Sequence, residues 1–309
     1  MTTSETATPE PLKPEHIALM QRHIAGGTPH AKAIGMTLEK AARGHAWLTL
    51  PYQSMFVGDN RTGVMHGGVI TALLDHTAGA AVQVTQPIKA AIATLDLRID
   101  YMKPAVSGVA VHAHAHCYKM TKNIAFVRAT AYQNGEDDLI ANSVATFMLS
   151  ANRTLMGRDA PAKLPEASPR ATPPRDPRPS DGSLGLMPYA QFLGVEVEKE
   201  GPTVTSILRF GPHLIGNPVL PALHGGAIGA FLETSAMVQV AAEMGGGRSP
   251  KPIGLTINYL RSGRPVDTFA RTTITKEGRR VAAIAVEAWQ DDRQKPIASA
   301  YGHFLLKPD

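Results

Sequence analysis

The feature that most constrains the fold of this chain is an internal repeat. Met65-His66-Gly67-Gly68-Val69-Ile70-Thr71-Ala72-Leu73-Leu74-Asp75 returns as Leu223-His224-Gly225-Gly226-Ala227-Ile228-Gly229-Ala230-Phe231-Leu232-Glu233, an offset of 158 residues. The same offset, with no gap between the blocks, aligns Leu97-Arg98-Ile99-Asp100-Tyr101-Met102-Lys103 with Leu255-Thr256-Ile257-Asn258-Tyr259-Leu260-Arg261. With a one-residue slip, Phe126 to Leu149 follows the pattern of Ala283 to Leu306. Separated blocks in one register mark a duplicated domain. Each copy spans about 130 residues, an ordinary domain size.

Between the copies lies a segment that cannot hold a helix or a sheet ladder. Residues 157–182 carry Pro161, Pro165, Pro169, Pro173, Pro174, Pro177 and Pro179, interleaved with Arg170, Arg175 and Arg178. Proline removes a backbone donor and fixes φ, so this stretch reads as an extended, stiffened linker. The expected organisation is a loose tail over 1–13, a first domain over 14–156, the linker over 157–182, and a second domain over 183–309. Hydrophobic residues make up 43% of the chain, which supplies real cores and excludes a mostly disordered protein.

Charge and cysteine usage exclude other classes. The net charge of +5 and pI near 9.3 permit an anionic ligand, but without a basic run no nucleic-acid partner is expected. The one cysteine, Cys117, excludes an intramolecular disulfide and a cysteine-rich zinc site. The first fourteen residues lack the apolar core of a signal peptide. The most apolar stretch, Val69 to Val84, is interrupted by Asp75 and His76 and is too short to span a bilayer. The expectation is a cytoplasmic protein with no membrane partner.

Periodicity orders the elements within a copy. Ile17, Met20 and Ile24 at helical spacing behind Pro14 predict a short helix over 14–25. A strand is expected over Ala46 to Leu50. Gly67 to Gln83, apolar nearly all round, predicts a helix buried on most faces, with its equivalent at Gly225 to Ala242. Leu95, Leu97, Ile99 and Tyr101 alternate with Thr94, Asp96, Arg98 and Asp100, which predicts a half-buried strand. Further strands are expected near 109–118, 125–133 and 139–149. The fold class is α+β, a long buried helix followed by antiparallel strands that curl around it, twice.

The chemistry-bearing feature is an apolar helix that opens on His-Gly-Gly and carries a carboxylate nine residues after the histidine, Asp75 in one copy and Glu233 in the other. Burying a carboxylate without partners is costly, yet both copies keep one at this position. A helix N-terminus presents unpaired N–H groups, and glycine lets a ligand oxygen approach them, so Gly67 and Gly225 are candidate oxyanion donors. Nine residues at 1.5 Å per residue separate His66 from Asp75 by about 13 Å, too far for one reaction centre. Paired antiparallel about a pseudo-twofold axis, however, the copies place the His-Gly-Gly turn of one at the carboxylate of the other, giving two composite pockets.

These residues resemble the hotdog-fold acyl-CoA thioesterases, in particular the phenylacetate-pathway and 4-hydroxybenzoyl-CoA types. The resemblance rests on Asn60 six residues before His66, then Gly67-Gly68, Asp75, Thr94 and Asp96-Leu97-Arg98-Ile99-Asp100-Tyr101-Met102-Lys103-Pro104. It covers both halves and implies a tandem double hotdog. It further implies that Gly67 or Gly225 donates its N–H to the thioester carbonyl and that Asp75 or Glu233 acts as nucleophile or general base. Asn60 would help position water or the carboxylate, and Thr94 would support the carboxylate. No cofactor is implied, since CoA belongs to the substrate, and a homo-oligomer of tandem chains is expected. The second copy departs from the pattern: Asn60 becomes Pro218 and Thr94 becomes Pro252. One pocket therefore joins Asn60, His66 and Gly67 to Glu233 without the hydroxyl, and the other joins His224 and Gly225 to Asp75 and Thr94 without the asparagine. The first is the preferred active pocket, because water positioning is harder to replace.

Two alternatives stand beside thioester hydrolysis. Pro218 and Pro252 favour a non-catalytic acyl-CoA binding protein, and a hotdog hydratase or dehydratase is disfavoured by the acid at His plus nine. His112, His114 and His116 share one strand face but lack an acidic or cysteine companion, so no metal is expected there. His76 reads as packing. No Gly-x-Ser-x-Gly elbow points to a serine hydrolase.

Overall fold

Pro14 stands where a missing backbone N–H costs nothing and opens helix α1 (Pro14–Met20). A second short helix, α2 (Pro29–Ala33), leads into the hairpin of β1 (Thr37–Ala42) and β2 (His45–Leu50). A 3-10 turn at Ser54–Phe56 precedes the small hairpin of β3 (Val57–Asp59) and β4 (Val64–Met65), which delivers the chain to the long helix α3 (Gly67–Thr85). Four strands close the first half: β5 (Ile92–Tyr101), β6 (Val111–Met120), β7 (Ile124–Tyr132) and β8 (Leu139–Leu149). The computed structural model describes residues 12, 14–22, 26–86, 91–149, 187–201, 203–219, 221–244 and 250–306. The expected linker over 157–182 and, apart from Leu12, the tail over 1–13 lie outside them.

From α2 onward the second half repeats this order. Helix α4 (Pro188–Leu193) leads into β9 (Val195–Glu200) and β10 (Thr203–Leu208), then the hairpin of β11 (Ile215–Asn217) and β12 (Ala222–Leu223). Helix α5 (Gly225–Glu243) follows, and β13 (Lys251–Tyr259), β14 (Thr268–Glu277), β15 (Val281–Trp289) and β16 (Ala298–Leu305) complete it.

The two halves share one twelve-stranded antiparallel sheet in the order β1-β2-β6-β7-β8-β5-β13-β16-β15-β14-β10-β9. The order is a palindrome of equivalent strands about the junction of β5 and β13. There Arg98 faces its repeat equivalent Thr256, flanked by Ile99 opposite Leu255 and Leu97 opposite Ile257. The pseudo-twofold axis therefore passes between residues that the 158-residue offset had already paired. Leu97, Ile99, Leu255 and Ile257 point inward and are buried, whereas Arg98 and Asp100 face solvent. That is the period-two alternation of a sheet with one covered face.

That covered face packs on α3 and α5, which lie against each other as well. Both helices are buried on most of their surface because sheet covers one side and the sister helix the other. Small residues let the backbones approach. A Cβ on Gly226 would sit 2.5 Å from the Cα of Ala72, and one on Gly68 would sit 2.9 Å from the Cα of Ala230. Around this contact Leu73, Leu74, Phe231, Leu232, Phe147 and Phe304 fill the core. Each such side chain contributes about 1.5–3 kcal/mol by leaving water.

The architecture is the duplicated α+β fold that the repeat predicted and the double hotdog that the resemblance implied. The expected helix over 14–25 ends at Met20 as an α-helix, and 23–25 lie outside the described residues. Helices α2 and α4, too short to show periodicity, were not anticipated. No described helix is long and apolar enough to cross a membrane.

Candidate active site

His66 ends the turn from β4 and caps α3 with its own side chain: Nδ1 accepts a hydrogen bond from the Gly68 N–H at 2.9 Å. An accepting Nδ1 puts the proton on Nε2, which lies 3.4 Å from Thr234 Oγ1. Burial lowers the His66 pKa to about 4, so the ring is neutral at physiological pH. Its 3.6 Å approach to Glu233 Oε1 is consequently not an ion pair. His224 repeats the device on α5, accepting from Gly226 N–H at 3.0 Å and donating through Nε2 to His76 Nδ1 at 3.1 Å. Burial and the neighbouring histidines hold it well below its usual range. The histidines of both motifs are helix caps, a local reason for His before Gly-Gly.

Antiparallel helices bring each motif to the opposite carboxylate. A side chain on Gly67 would clash with Glu233 Oε1, and a Cβ on Gly225 would lie 3.0 Å from Asp75 Oδ2. In the first pocket Tyr101 Oη donates to Glu233 Oε2 at 2.5 Å, and Thr71 Oγ1 lies 2.7 Å from that hydroxyl. Glu233 Oε1 has no hydrogen-bond partner among the described residues, although the carboxylate is fully buried. Burial pushes its pKa up to about 7, opposed first by the Tyr101 hydrogen bond and then by the Gly68 N–H and Thr71 hydroxyl, which lie near the carboxylate without hydrogen-bond geometry to it. The N–H of Gly67 makes no hydrogen bond among the described residues.

The second pocket is tied more tightly. Asp75 Oδ2 accepts from Gly226 N–H at 2.7 Å and Oδ1 from Thr94 Oγ1 at 2.9 Å, so both oxygens are engaged. Burial raises its pKa to about 6, with these two donors opposing. Thr71 is replaced by Gly229 at the equivalent position, and Tyr259 Oη turns to the Gly225 carbonyl at 2.9 Å.

The structure thus brings His66, Gly67 and Glu233 together, and His224, Gly225, Asp75 and Thr94 together. Asn60 lies exposed in the turn over 60–63 and makes no hydrogen bond to Glu233. The hydroxyl lacking at Pro252 is supplied instead by Tyr101 from the other half. Tyr101 was visible inside the second repeat block, paired with Tyr259, but alternation marked it only as an inward strand residue. His76, read as packing, is the hydrogen-bond partner of His224.

The short helices cap these pockets crosswise. Helix α2 of the first half packs on the 212–214 turn and β11, with His30 5.1 Å from the His224 ring. Helix α4 of the second half packs on the 54–56 turn and β3, with Tyr189 5.4 Å from the His66 ring. On the outer face of β6, His114 Nε2 lies 2.9 Å from His45 Nδ1 and stacks on Trp47. Among the described residues no group of three or more His, Cys, Asp or Glu is placed to hold a metal ion.

A curved sheet around paired helices, with a carboxylate at each opposing glycine turn, defines a hotdog protein of the thioester-cleaving class. Known proteins agree. Residues 62–140 match the thioesterase superfamily model, and 217–305 match the acyl-CoA thioesterase N-terminal domain model. The Escherichia coli protein YigI, a medium/long-chain acyl-CoA thioesterase, is 30% identical over 135 residues, 39% of this chain and 85% of YigI. A conserved protein with a hot dog fold from Alicyclobacillus acidocaldarius superposes with a TM-score of 0.60 at 16% identity, covering 88% of this chain and 97% of that one. A tesB protein of Mycobacterium avium gives 0.58 at 13% identity, covering 88% and 96%. The chain belongs to the thioesterase superfamily, as a tandem hotdog enzyme of the thioester hydrolase class.

Proposed function

We propose that the protein hydrolyses acyl-CoA to free acid and CoA, and that the reaction runs at Glu233. The carrying observation is the asymmetry of the two carboxylates: Glu233 keeps one buried oxygen without a partner, while both oxygens of Asp75 are engaged. The ionised Glu233 acts as general base. As the oxygen of a water attacks the thioester carbonyl carbon, its proton passes to Glu233, and the developing oxyanion receives the unengaged Gly67 N–H. One such donor contributes about 3–4 kcal/mol to transition-state stabilisation. The tetrahedral intermediate then expels CoA by cleavage of the C–S bond, and the thiolate recovers the proton from Glu233. Tyr101, held by Thr71, fixes the other carboxylate oxygen and orients the base. Medium and long acyl chains, the substrates named for YigI, are the proposed class.

Free-thiol release from acyl-CoAs of graded chain length, measured for wild type, Glu233→Gln and Asp75→Asn, tests this reading. Turnover is expected in wild type, to fall at least a hundredfold in Glu233→Gln, and to survive in Asp75→Asn. The reverse pattern would move the chemistry to the Asp75 pocket. Binding of acyl-CoA without any turnover would instead support a binding protein. A soluble cytoplasmic homo-oligomer of tandem chains belongs to the same proposal.

A further inference from the structure

Two buried polar atoms of the Glu233 pocket have no hydrogen-bond partner among the described residues: Oε1 of Glu233 itself and Oη of Tyr189. Both residues are fully buried, and both adjoin the same imidazole, since Oε1 lies 3.6 Å from His66 Nδ1 and the Tyr189 ring 5.4 Å from the His66 ring. The tyrosine is held from the other side. Its ring meets Phe56 edge-on at 6.1 Å and stacks on Phe192 at 5.9 Å, so α4 sets its position. A hydroxyl buried in an apolar cage without a partner is costly, and such a group in a native fold calls for an explanation. A phenylalanine would fill the same cage without that penalty.

We propose that Tyr189 is a catalytic hydrogen-bond donor of the Glu233 pocket, its hydroxyl holding the attacking water whose proton goes to Glu233 Oε1. One water between the two atoms satisfies both: it donates one hydrogen to Oε1 and accepts the tyrosine hydrogen, and its remaining lone pair faces the thioester carbonyl at the Gly67 N–H. This assignment rests on Glu233 being the reacting carboxylate. It also accounts for Asn60 being exposed, because the water-positioning role moves from the β3–β4 turn to the cap helix of the other half. The equivalent cap residue over the Asp75 pocket is His30: its Nδ1 donates to the His213 carbonyl at 3.0 Å, so its buried Nε2, also without a partner among the described residues, can accept a hydrogen bond but not donate one as the tyrosine does. The two pockets therefore differ in their caps as well as in their carboxylates.

The test is Tyr189→Phe, which removes one oxygen and keeps the ring packing. Free-thiol release should show kcat reduced at least tenfold with KM within twofold of wild type, and a melting temperature equal to or above wild type. A kcat within twofold of wild type overturns the assignment. A fall in kcat accompanied by a clear drop in melting temperature also overturns it, because the hydroxyl would then be supporting the fold. Glu233→Gln measured alongside separates the two ideas. If the Gln variant is dead and the Phe variant active, only the tyrosine assignment fails; if the Gln variant is active, the Glu233 reading fails and takes the tyrosine with it.

Discussion

Glu233 is a weak acid buried away from bulk water, and that single fact sets two pH dependences. The proposed general-base step needs the ionised form, so kcat/KM should rise about tenfold per pH unit below about pH 7 and level off above, a profile read directly from thiol release across pH. Stability runs the opposite way. A carboxyl whose folded pKa lies above its ordinary 4.5 binds its proton more tightly when folded, so stability is full below about pH 4.5 and is lost as pH rises through about 7. The loss is on the order of 3 kcal/mol. Glu233→Gln should therefore melt higher than wild type at pH 8 and lose that advantage near pH 4.5, measured by thermal unfolding at both values. Tyr101→Phe acts on the same group: removing a donor to the charged form pushes the Glu233 pKa further up. The rising limb of its rate profile should shift to higher pH, and the plateau should fall as the base loses its orientation.

At the scale of elements, the contact between α3 and α5 decides whether the pockets exist. The composite pockets set Gly67 against Glu233 and Gly225 against Asp75, and both juxtapositions follow from the close crossing at Gly68 with Ala230 and Gly226 with Ala72. Gly226→Val would force the Ala72 backbone away. It is expected to cost about 1–3 kcal/mol or more by overpacking, seen as a lower denaturant midpoint, and to lower activity by displacing the opposing carboxylates. The helices themselves were legible from composition, because a run apolar on all faces has to be buried on all faces. The capping helices α2 and α4 were not, since five or six residues carry too little periodicity to be seen.

At the scale of the whole molecule, the halves form one structure. Strands β5 and β13 pair in the centre of a continuous sheet, α3 packs on α5, and each cap helix crosses to the other half's pocket. Proteolytic cleavage confined to 157–182 is accordingly expected to leave the two fragments associated, as a single peak of unchanged size in gel filtration under native conditions, with activity retained. Separation into two peaks would mean that the shared sheet and helix pair contribute less than their buried area implies.

The repeat, the buried helix with its carboxylate, and the distance argument that one copy cannot build a site were all present in the order of residues. Each depends on local spacing or on comparison of one segment with another, and spacing along a helix or strand is a property of the chain. The partners of the carboxylates were decided only in three dimensions. Thr94 reaches Asp75 from a neighbouring strand of the same half, whereas Tyr101 reaches Glu233 across the pseudo-twofold axis, 132 residues away in sequence. Asn60, placed by its spacing before His66, turns outward because the β3–β4 turn directs it to solvent. Equivalence in the repeat names the positions; the asymmetry between Glu233 and Asp75 arises from which side chains the folded halves press against each.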